Sequence, residues 1–250
     1  MLKISIITVV RNRVSSIEKT IQSVFSQDYA NIEYIVIDGN STDGTIDIIS
    51  KYANQIDFFL SENDNSIYEA LNKGVKNASG DIIGVLHVDD VFKTNNVISK
   101  IADIFKSDSS ISLIFGDAEY INSENNIVRH YSSKFFRPFM FYFGFQPAHT
   151  ASFIKKSFFN NVGYYREDLK IAGDFDLLLR GLLVHKLKFK YLKLTIVNMR
   201  IGGISSNGFG SVIKLNREIF QSLKLNNLTA NYFLIYSKYL IKIWSFLISR

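Results

Sequence analysis

The chain has 250 residues and 47% of them are hydrophobic, which is enough for a sizeable core and excludes a disordered chain. It contains no cysteine, so disulfides, cysteine-ligated zinc and iron–sulfur clusters are excluded, and a reducing compartment such as the cytoplasm is expected. The apolar run in residues 1–13 is short and has no small-residue cleavage site, so export by a signal peptide is not expected.

The formal net charge of +6 is unevenly distributed along the chain. Twelve Lys and Arg residues but only one acid, Glu218, follow Asp176, so this segment carries +11 and residues 1–176 carry −5. The asymmetry favours an anionic partner, such as a phospholipid surface, a phosphorylated substrate or nucleic acid. A solvated lysine-rich surface is the simpler explanation, and the sequence has no nucleic-acid recognition motif.

Strand and helix patterns alternate through the first half of the chain. Apolar, β-branched runs predict strands at 4–10, 34–38, 57–61, 82–88, 111–116 and 151–154. Helical spacing predicts helices at 17–25, 45–52, 66–78, 94–105 and from 171, with Ser66 and Thr94 as N-caps. This order predicts an α/β fold, with a Rossmann-like, mostly parallel central sheet that helices cover on both faces.

Acidic loops follow three of the predicted strands, at 37–45, 61–64 and 87–90. Open α/β sheets bind their ligands beyond the carboxyl ends of the strands, so these loops are expected to meet at the site. Asp89 and Asp90 are adjacent carboxylates after a β-branched run, where they repel each other and favour a bound cation. Oxygen ligands in a loop suit Mg²⁺ or Mn²⁺, with phosphates and waters completing the coordination.

Three motifs occur in a fixed order in the first ninety residues. They are SIITVVRNR at 5–13, EYIVIDGNSTDGT at 33–45, and IYEALNKG at 67–74 followed by ASGD at 78–81 and DD at 89–90. Together they resemble the signature of the family 2 glycosyltransferases, particularly the bacterial polysaccharide-synthesis enzymes, and the resemblance covers about residues 3–205. It implies a GT-A fold and a nucleoside-diphosphate sugar donor, most often a UDP-sugar.

The resemblance also implies roles for individual residues. Positions around the base and ribose of the donor correspond to Thr8, Arg11, Asp38, Asp64 and Lys73. Two of the motifs depart from the family pattern here. Gly39-Asn40 replaces a carboxylate that often contacts the base, so the base stays open, and Leu71 replaces an arginine whose charge Lys73 is expected to supply.

The expected metal site also comes from the resemblance. Asp89 corresponds to the metal-binding aspartate of the DxD-type motif, with Asp90 beside it, and Mn²⁺ or Mg²⁺ would stabilise the diphosphate leaving group. His87 stands where the family has Asp or Asn. A neutral imidazole either ligates Mn²⁺ or hydrogen-bonds to a ligand of the ion, and we favour the hydrogen-bonding role.

The family's catalytic aspartate corresponds to Asp174, which we expect to act as the base in an inverting transfer. Asp176 is explained by the first turn of a helix, where the helix dipole stabilises an acid. His149 corresponds to a position near the acceptor, although a structural histidine is the commoner case. The glycine-rich segment 201–208 resembles a family loop that closes over the diphosphate, or it is an ordinary turn.

Two segments suggest contact with a membrane. Seven aromatic residues lie within positions 135–145, and the apolar segment 232–249 contains Trp244. Lys238 and Lys242 disfavour a spanning helix, so an amphipathic helix at the interface or a helix packed on the domain is expected.

We therefore predict a GT-A domain at 1–210, with a nucleotide-sugar half at about 1–130 and an acceptor half at about 131–210, followed by an amphipathic helical segment at 211–250. The predicted activity adds one sugar to a lipid-linked oligosaccharide in O-antigen, capsule or exopolysaccharide synthesis, on the cytoplasmic face of the inner membrane. The alternatives are a sugar nucleotidyltransferase, for which residues 10–13 lack the glycine-rich phosphate loop, and a non-catalytic protein that binds nucleotide sugars.

Overall fold

The computed structural model describes residues 1–201 and 208–239. Residues 202–207 of the predicted glycine-rich segment at 201–208 lie outside the described residues. The same holds for the C-terminal residues 240–250, which include Lys242 and Trp244.

The first half alternates strands and helices as the sequence predicts. Its elements are β1 (Ile4–Val10), α1 (Ile17–Phe25), β2 (Ile32–Asp38), α2 (Thr45–Ser50), β3 (Phe58–Ser61), α3 (Ile67–Asn77), β4 (Ile82–Val85), β5 (Val91–Phe92), α4 (Val97–Ser107) and β6 (Leu113–Ile121). The second half is less regular. It contains β7 (Ile127–Tyr131), 3₁₀ turns at Pro138–Phe143 and His149–Ala151, β8 (Ser152–Lys155), α5 (Lys156–Val162), α6 (Gly173–Leu179), a π turn at Arg180–Val184, β9 (Phe189–Arg200), α7 (Gly208–Leu225) and a helix at 232–239, called α8 here.

One sheet of nine strands runs through the described residues, in the order β3-β2-β1-β4-β8-β6-β9-β5, with β7 paired to β6. β3, β2, β1 and β4 are parallel, and β6 and β9 point the same way, because β8 is antiparallel to both β4 and β6. Six of these nine strands therefore share one direction, which confirms the predicted α/β fold with its mostly parallel sheet.

Alternate residues of the central strands face opposite sides of the sheet, as strand geometry requires. In β1, Ile4 and Ile6 belong to a core cluster with α1, α2 and α4, whereas Ile7 and Val9 belong to a second cluster with α3, α5, α6 and α7. Both faces are covered by helices, which is why the strands are apolar along their whole length.

Helix capping follows the sequence at one of the two predicted N-caps. Ser66 accepts a hydrogen bond from the backbone N–H of Glu69 and begins α3, as expected. Thr94 does not cap α4, since Asn96 occupies the N-cap position and the Thr94 hydroxyl donates to its side chain. The prediction for Thr94 is therefore wrong, because Asn96 stands two residues closer to the first helical turn.

The C-terminal helices pack on the domain where the structure describes them. Ile219 and Leu223 of α7 are buried in the same cluster as α6, and Ile235 of α8 is also buried. Lys238 is only 4% exposed and lies beside Gly144, so this residue faces the domain. Within 1–201 and 208–239, no helix is long and apolar enough to cross a membrane.

Candidate active site

The loops after β1, β2, β3 and β4 meet at one edge of the sheet. Val10 pairs with Asp38 and Asp38 pairs with Ser61 in the parallel register, so these strands end side by side. The loops are also joined to each other, because Asn12 donates its backbone N–H to Ser41 and accepts from the backbone N–H of Thr42. These loops therefore lie together beyond the carboxyl ends of the strands, where the sequence predicts the site.

Asp38 organises the loop after β2. Its side chain is fully buried and accepts hydrogen bonds from the Ser41 backbone at 2.9 Å, the Ser41 hydroxyl at 2.5 Å and the Ser61 hydroxyl at 2.7 Å. A buried carboxylate is costly unless its oxygens are hydrogen-bonded, and here both of them are. Arg11 lies exposed across Gly39 from this carboxylate, with its Cδ 3.3 Å from the position that a Cβ would occupy there.

Thr8 lies inside the fold. Its side chain is fully buried in β1, where the hydroxyl donates to the carbonyl of Leu86 at 2.9 Å and accepts from the Tyr34 hydroxyl at 3.0 Å. Thr8 shares the strand face of Ile4 and Ile6, so its side chain points to the core beneath the site.

Lys73 lies among three carboxylates. Its ammonium is 2.5 Å from Asp64, 2.7 Å from Glu62 and 3.2 Å from Glu69. Partial burial opposes the charge of Lys73, but the hydrogen bonds with these carboxylates raise its pKa above the ordinary value. Burial raises the pKa of Asp64, although its contact with Lys73 works in the opposite direction. The predicted residues Asp64 and Lys73 are thus brought together beyond β3.

Asp89 and Asp90 have different surroundings although they are adjacent. Asp89 has a left-handed backbone with φ of 79°, is partly exposed, and contacts Arg13 Nε with one carboxylate oxygen at 3.2 Å. Asp90 is buried. Burial raises the pKa of Asp90 well above its usual range, so Asp89 is the better anionic ligand of the two.

The side chains of His87 and His149 lie next to each other. The ring centroids of His87 and His149 are 5.8 Å apart, and burial lowers the pKa of both imidazoles to about 4. His149 Nε2 is hydrogen-bonded to the hydroxyl of Tyr165 at 2.7 Å. The Nδ1 atom of His87 is buried and has no hydrogen-bond partner among the described residues.

Asp174 lies in the first turn of α6 and is partly buried. Gln146 donates to one of its oxygens at 2.9 Å, and the backbone N–H of Phe175 donates to the other at 2.8 Å. Burial raises the pKa of Asp174, and the two hydrogen bonds oppose this shift only in part. A carboxylate with a raised pKa is a stronger base than a free aspartate, as a general base requires.

Asp176 is fully buried and has a structural environment. It forms an ion pair with Arg180 at 2.7 Å and accepts hydrogen bonds from Ser222 at 2.8 Å and Asn226 at 3.0 Å. The residue joins α6 to α7, in addition to its place in the first helical turn.

Three residues at the site were not expected from the sequence. Gln146 contacts Asp174, Tyr165 contacts His149, and the hydroxyl of Tyr68 lies 3.4 Å from Asp174 while it donates to the carbonyl of Ile171 at 2.6 Å. Gln146 lies 28 residues before its partner and Tyr68 lies 106 residues before it. Helical and strand periodicity cannot predict contacts between residues so far apart in the sequence. The only indication for Gln146 was its position three residues before His149, which the sequence analysis singles out.

A divalent ion fits part of this arrangement. No group of three or more His, Asp or Glu side chains that could hold a metal occurs in the described parts of the chain. Asp89 nevertheless keeps one carboxylate oxygen without a protein partner there, and the buried Nδ1 of His87 is also unpaired. Asp89 can therefore offer one carboxylate oxygen to Mn²⁺ or Mg²⁺, and phosphates and waters would have to supply the remaining ligands.

The fold is that of the GT-A glycosyltransferases. S. aureus TarS 1–349, solved in complex with UDP-GlcNAc, matches with a TM-score of 0.70 at 17% identity, over 89% of this chain and 66% of that chain. The mannosyltransferase PcManGT from Pyrobaculum calidifontis, solved with GDP-Man and Mn²⁺, matches with a TM-score of 0.66 at 14% identity, over 95% of this chain and 69% of that one. The chain thus spans slightly less than two thirds of the TarS 1–349 chain.

The chain belongs to glycosyl transferase family 2, whose family model matches residues 5–164. An uncharacterized glycosyltransferase of Mycobacterium tuberculosis is 31% identical over 182 residues, which is 72% of this chain and 69% of that protein. The PGL/p-HBAD biosynthesis glycosyltransferase of Mycobacterium bovis is 24% identical over 209 residues, or 81% of this chain and 78% of that protein. The predicted family and the predicted enzyme class are both confirmed.

Gly173 packs so closely against the ring of Tyr68 that no side chain fits at position 173. Replacing Gly173 tests this packing. A Cβ at position 173 would lie 2.7 Å from Tyr68 Cε2, and the hydrogen bond to Ile171 prevents the ring from moving away. We expect Gly173→Ala to destabilise the protein by about 1–3 kcal/mol in denaturant unfolding, as overpacking does. The matched control is Gly210→Ala, since a Cβ there would meet no atom within 4 Å among the described residues beyond its neighbours in the same helix. Equal stability of the two variants would contradict the packing argument.

Proposed function

We propose that this protein is an inverting glycosyltransferase that uses a nucleoside-diphosphate sugar. Asp174 is the base that takes the proton from an acceptor hydroxyl as that oxygen attacks the anomeric carbon. The observation that carries this proposal is the partly buried Asp174 carboxylate, whose pKa burial raises and which Gln146 orients at 2.9 Å. A single positioned base is what one inverting displacement needs.

The surroundings of Asp176 support inversion over retention. A retaining double displacement needs a second carboxylate as nucleophile, at about 5–5.5 Å from the first. Asp176 is the acid nearest to Asp174 in sequence, but it is fully buried and holds Arg180, Ser222 and Asn226. It is therefore not free to attack a sugar.

The donor is proposed to bind over the loops that follow β1 to β4, with Arg11, Asp38, Asp64 and Lys73 around the nucleoside. A UDP-sugar is our proposed donor; the matched structures of TarS and PcManGT hold UDP-GlcNAc and GDP-Man, respectively. Asp89 would hold Mn²⁺ or Mg²⁺, with His87 beside it. The ion would supply positive charge to the departing diphosphate.

The acceptor is proposed to be a lipid-linked saccharide in the synthesis of a bacterial surface polysaccharide, at the cytoplasmic face of the inner membrane. Phe135 and Phe139 are 75% and 58% exposed, so part of the aromatic segment faces outward. A groove of about 520 Å³ lies beside this segment and is lined by Pro138, Leu182, Leu183, Leu187 and Phe189, with Lys186 and Lys188 among them. Apolar surface next to cations fits an anionic lipid headgroup region.

The base assignment is tested with Asp174→Asn. We expect turnover to fall by about 10²–10⁴-fold, because an amide cannot take the proton. In the unchanged enzyme, activity should rise with pH through the ionisation of Asp174, at a higher pH than for a free aspartate, since burial raises the pKa of this carboxyl. Release of nucleoside diphosphate is the measurement. The control is Asp168→Asn. Asp168 lies six residues before Asp174 and forms an ion pair with Arg166 at 3.0 Å. Near-normal turnover of folded Asp174→Asn would refute the assignment.

The donor and metal sites are tested by thermal unfolding with a panel of nucleoside diphosphates, with and without Mn²⁺. A ligand that binds only the folded state stabilises it by about 2.7 kcal/mol at a concentration of 100 times Kd. We expect the largest stabilisation from UDP with Mn²⁺, and we expect Asp89→Ala to lose the part that depends on Mn²⁺. Asp103→Ala on the surface of α4 is the control. An identical response of both variants would exclude Asp89 as a ligand.

The membrane surface is tested by flotation with vesicles that contain phosphatidylglycerol. We expect the double variant Phe135→Ser/Phe139→Ser to bind these vesicles less than the unchanged protein, because it loses exposed apolar area. Phe59→Ser, at a residue that is 40% exposed on β3, is the control. Equal flotation of all three proteins would rule out the aromatic segment as the membrane contact. Point variants are preferred to removal of residues 228–250, because Ile235 is part of the core.

A further inference from the structure

Glu218 of α7 holds the loop that leads into α6. It is the only acid after Asp176, and it is buried at 7% exposure. One oxygen, Oε2, accepts hydrogen bonds from three consecutive backbone N–H groups: Lys170 at 3.0 Å, Ile171 at 2.7 Å and Ala172 at 2.9 Å. The carboxylate thus contacts three successive peptide units of one short segment.

Such an arrangement fixes the conformation of the loop. Three N–H groups converge on one oxygen only when the backbone curves around it, and hydrogen bonds to a charged acceptor are stronger than neutral ones. A buried carboxylate needs these donors, and the loop N–H groups need an acceptor. The carboxylate and the loop therefore constrain each other.

A residue of α3 also hydrogen-bonds to the loop 170–172. The hydroxyl of Tyr68 donates to the carbonyl of Ile171 at 2.6 Å, while Glu218 accepts from the N–H of the same residue. Ala172 is the N-cap of α6, and its carbonyl accepts the first helical hydrogen bond from Asp176. Asp174 lies between these two residues, so the loop and the first turn of α6 set the place of its carboxylate.

Other contacts hold α7 on the domain without Glu218. Ile219 and Leu223 are buried in the core, Ser222 and Asn226 bind Asp176, and Asn216 donates to Tyr239 of α8 at 2.9 Å. Attachment of the helix therefore does not depend on the Glu218 carboxylate. The hydrogen bonds of the Glu218 carboxylate are all made with residues 170–172, which precede the proposed base Asp174 in the sequence.

We propose that Glu218 is a positioning residue for the transfer reaction, acting through the 170–172 loop on Asp174. This inference rests on the proposed role of Asp174 as base. With this role of Glu218, α7 contributes to catalysis. Most of this helix lies in the segment 211–250, which the sequence analysis assigns to a C-terminal helical extension. Glu218 touches neither donor nor acceptor in this role.

The test compares Glu218→Ala, Glu218→Gln and Asn216→Ala in the full-length protein. Asn216 is the matched control, because it is buried and hydrogen-bonded on the same helix but contacts α8 instead of the loop. Turnover and donor KM are measured by release of nucleoside diphosphate, and hydrogen exchange is measured at the amides of 170–172. A misplacement of about 1 Å costs as much as 10²-fold in rate, so we expect kcat of Glu218→Ala to fall by about 10- to 100-fold.

Four results together would support the inference. Donor KM of Glu218→Ala should change by less than about threefold, since the donor loops belong to β1–β4, and its 170–172 amides should exchange faster. Glu218→Gln should recover part of the lost kcat, because the amide oxygen still accepts hydrogen bonds. Asn216→Ala should keep normal kcat even where its thermal stability falls.

Turnover of Glu218→Ala equal to that of Asn216→Ala would overturn the inference, and if Glu218→Ala does not fold, the same comparison is made with Glu218→Gln. Failure of the base assignment has a different signature, namely normal turnover of Asp174→Asn. The two failures are therefore distinguishable in one set of assays.

Discussion

The parallel register of β1 with β2 and β4 is the constraint on which the arrangement of the following loops depends. It aligns Ile4 with both Ile32 and Ile82, so that the three strands start level and their following loops emerge at one edge. Polar groups at this edge lie directly above an apolar core and must be satisfied locally, as Asp38 is by Ser41 and Ser61. The order of the loops therefore follows from backbone pairing, before any ligand is present.

The surroundings of Asp174 are organised by side-chain hydrogen bonds instead of by strand ends. Asp174 reaches the site because Tyr68 of α3 and Glu218 of α7 hold the preceding loop, and because Gln146 comes from the segment after the aromatic turn. These contacts join parts of the chain that are far apart in sequence. The two sides of the site thus have different physical origins, one in regular pairing and one in tertiary hydrogen bonds.

This difference explains what the sequence could predict. Strands, helices and the Ser66 cap follow from periodicity and local chemistry, and the motif order identified the family. Thr8 was placed at the nucleotide from the motif alone, although its spacing from Ile4 and Ile6 assigns its side chain to the core face. Glu218 was visible as the lone acid of a basic segment, but periodicity could not identify three backbone N–H groups 46 to 48 residues earlier as its partners. Long-range partners of this kind require the fold.

The antiparallel strand β8 has a mechanical consequence. It hydrogen-bonds to β4 along one edge and to β6 along the other, so a single continuous sheet crosses the middle of the described structure. A hinge opening between β4 and β6 would therefore break these ladder bonds. A movement of the surface loops around the sheet leaves all of them in place.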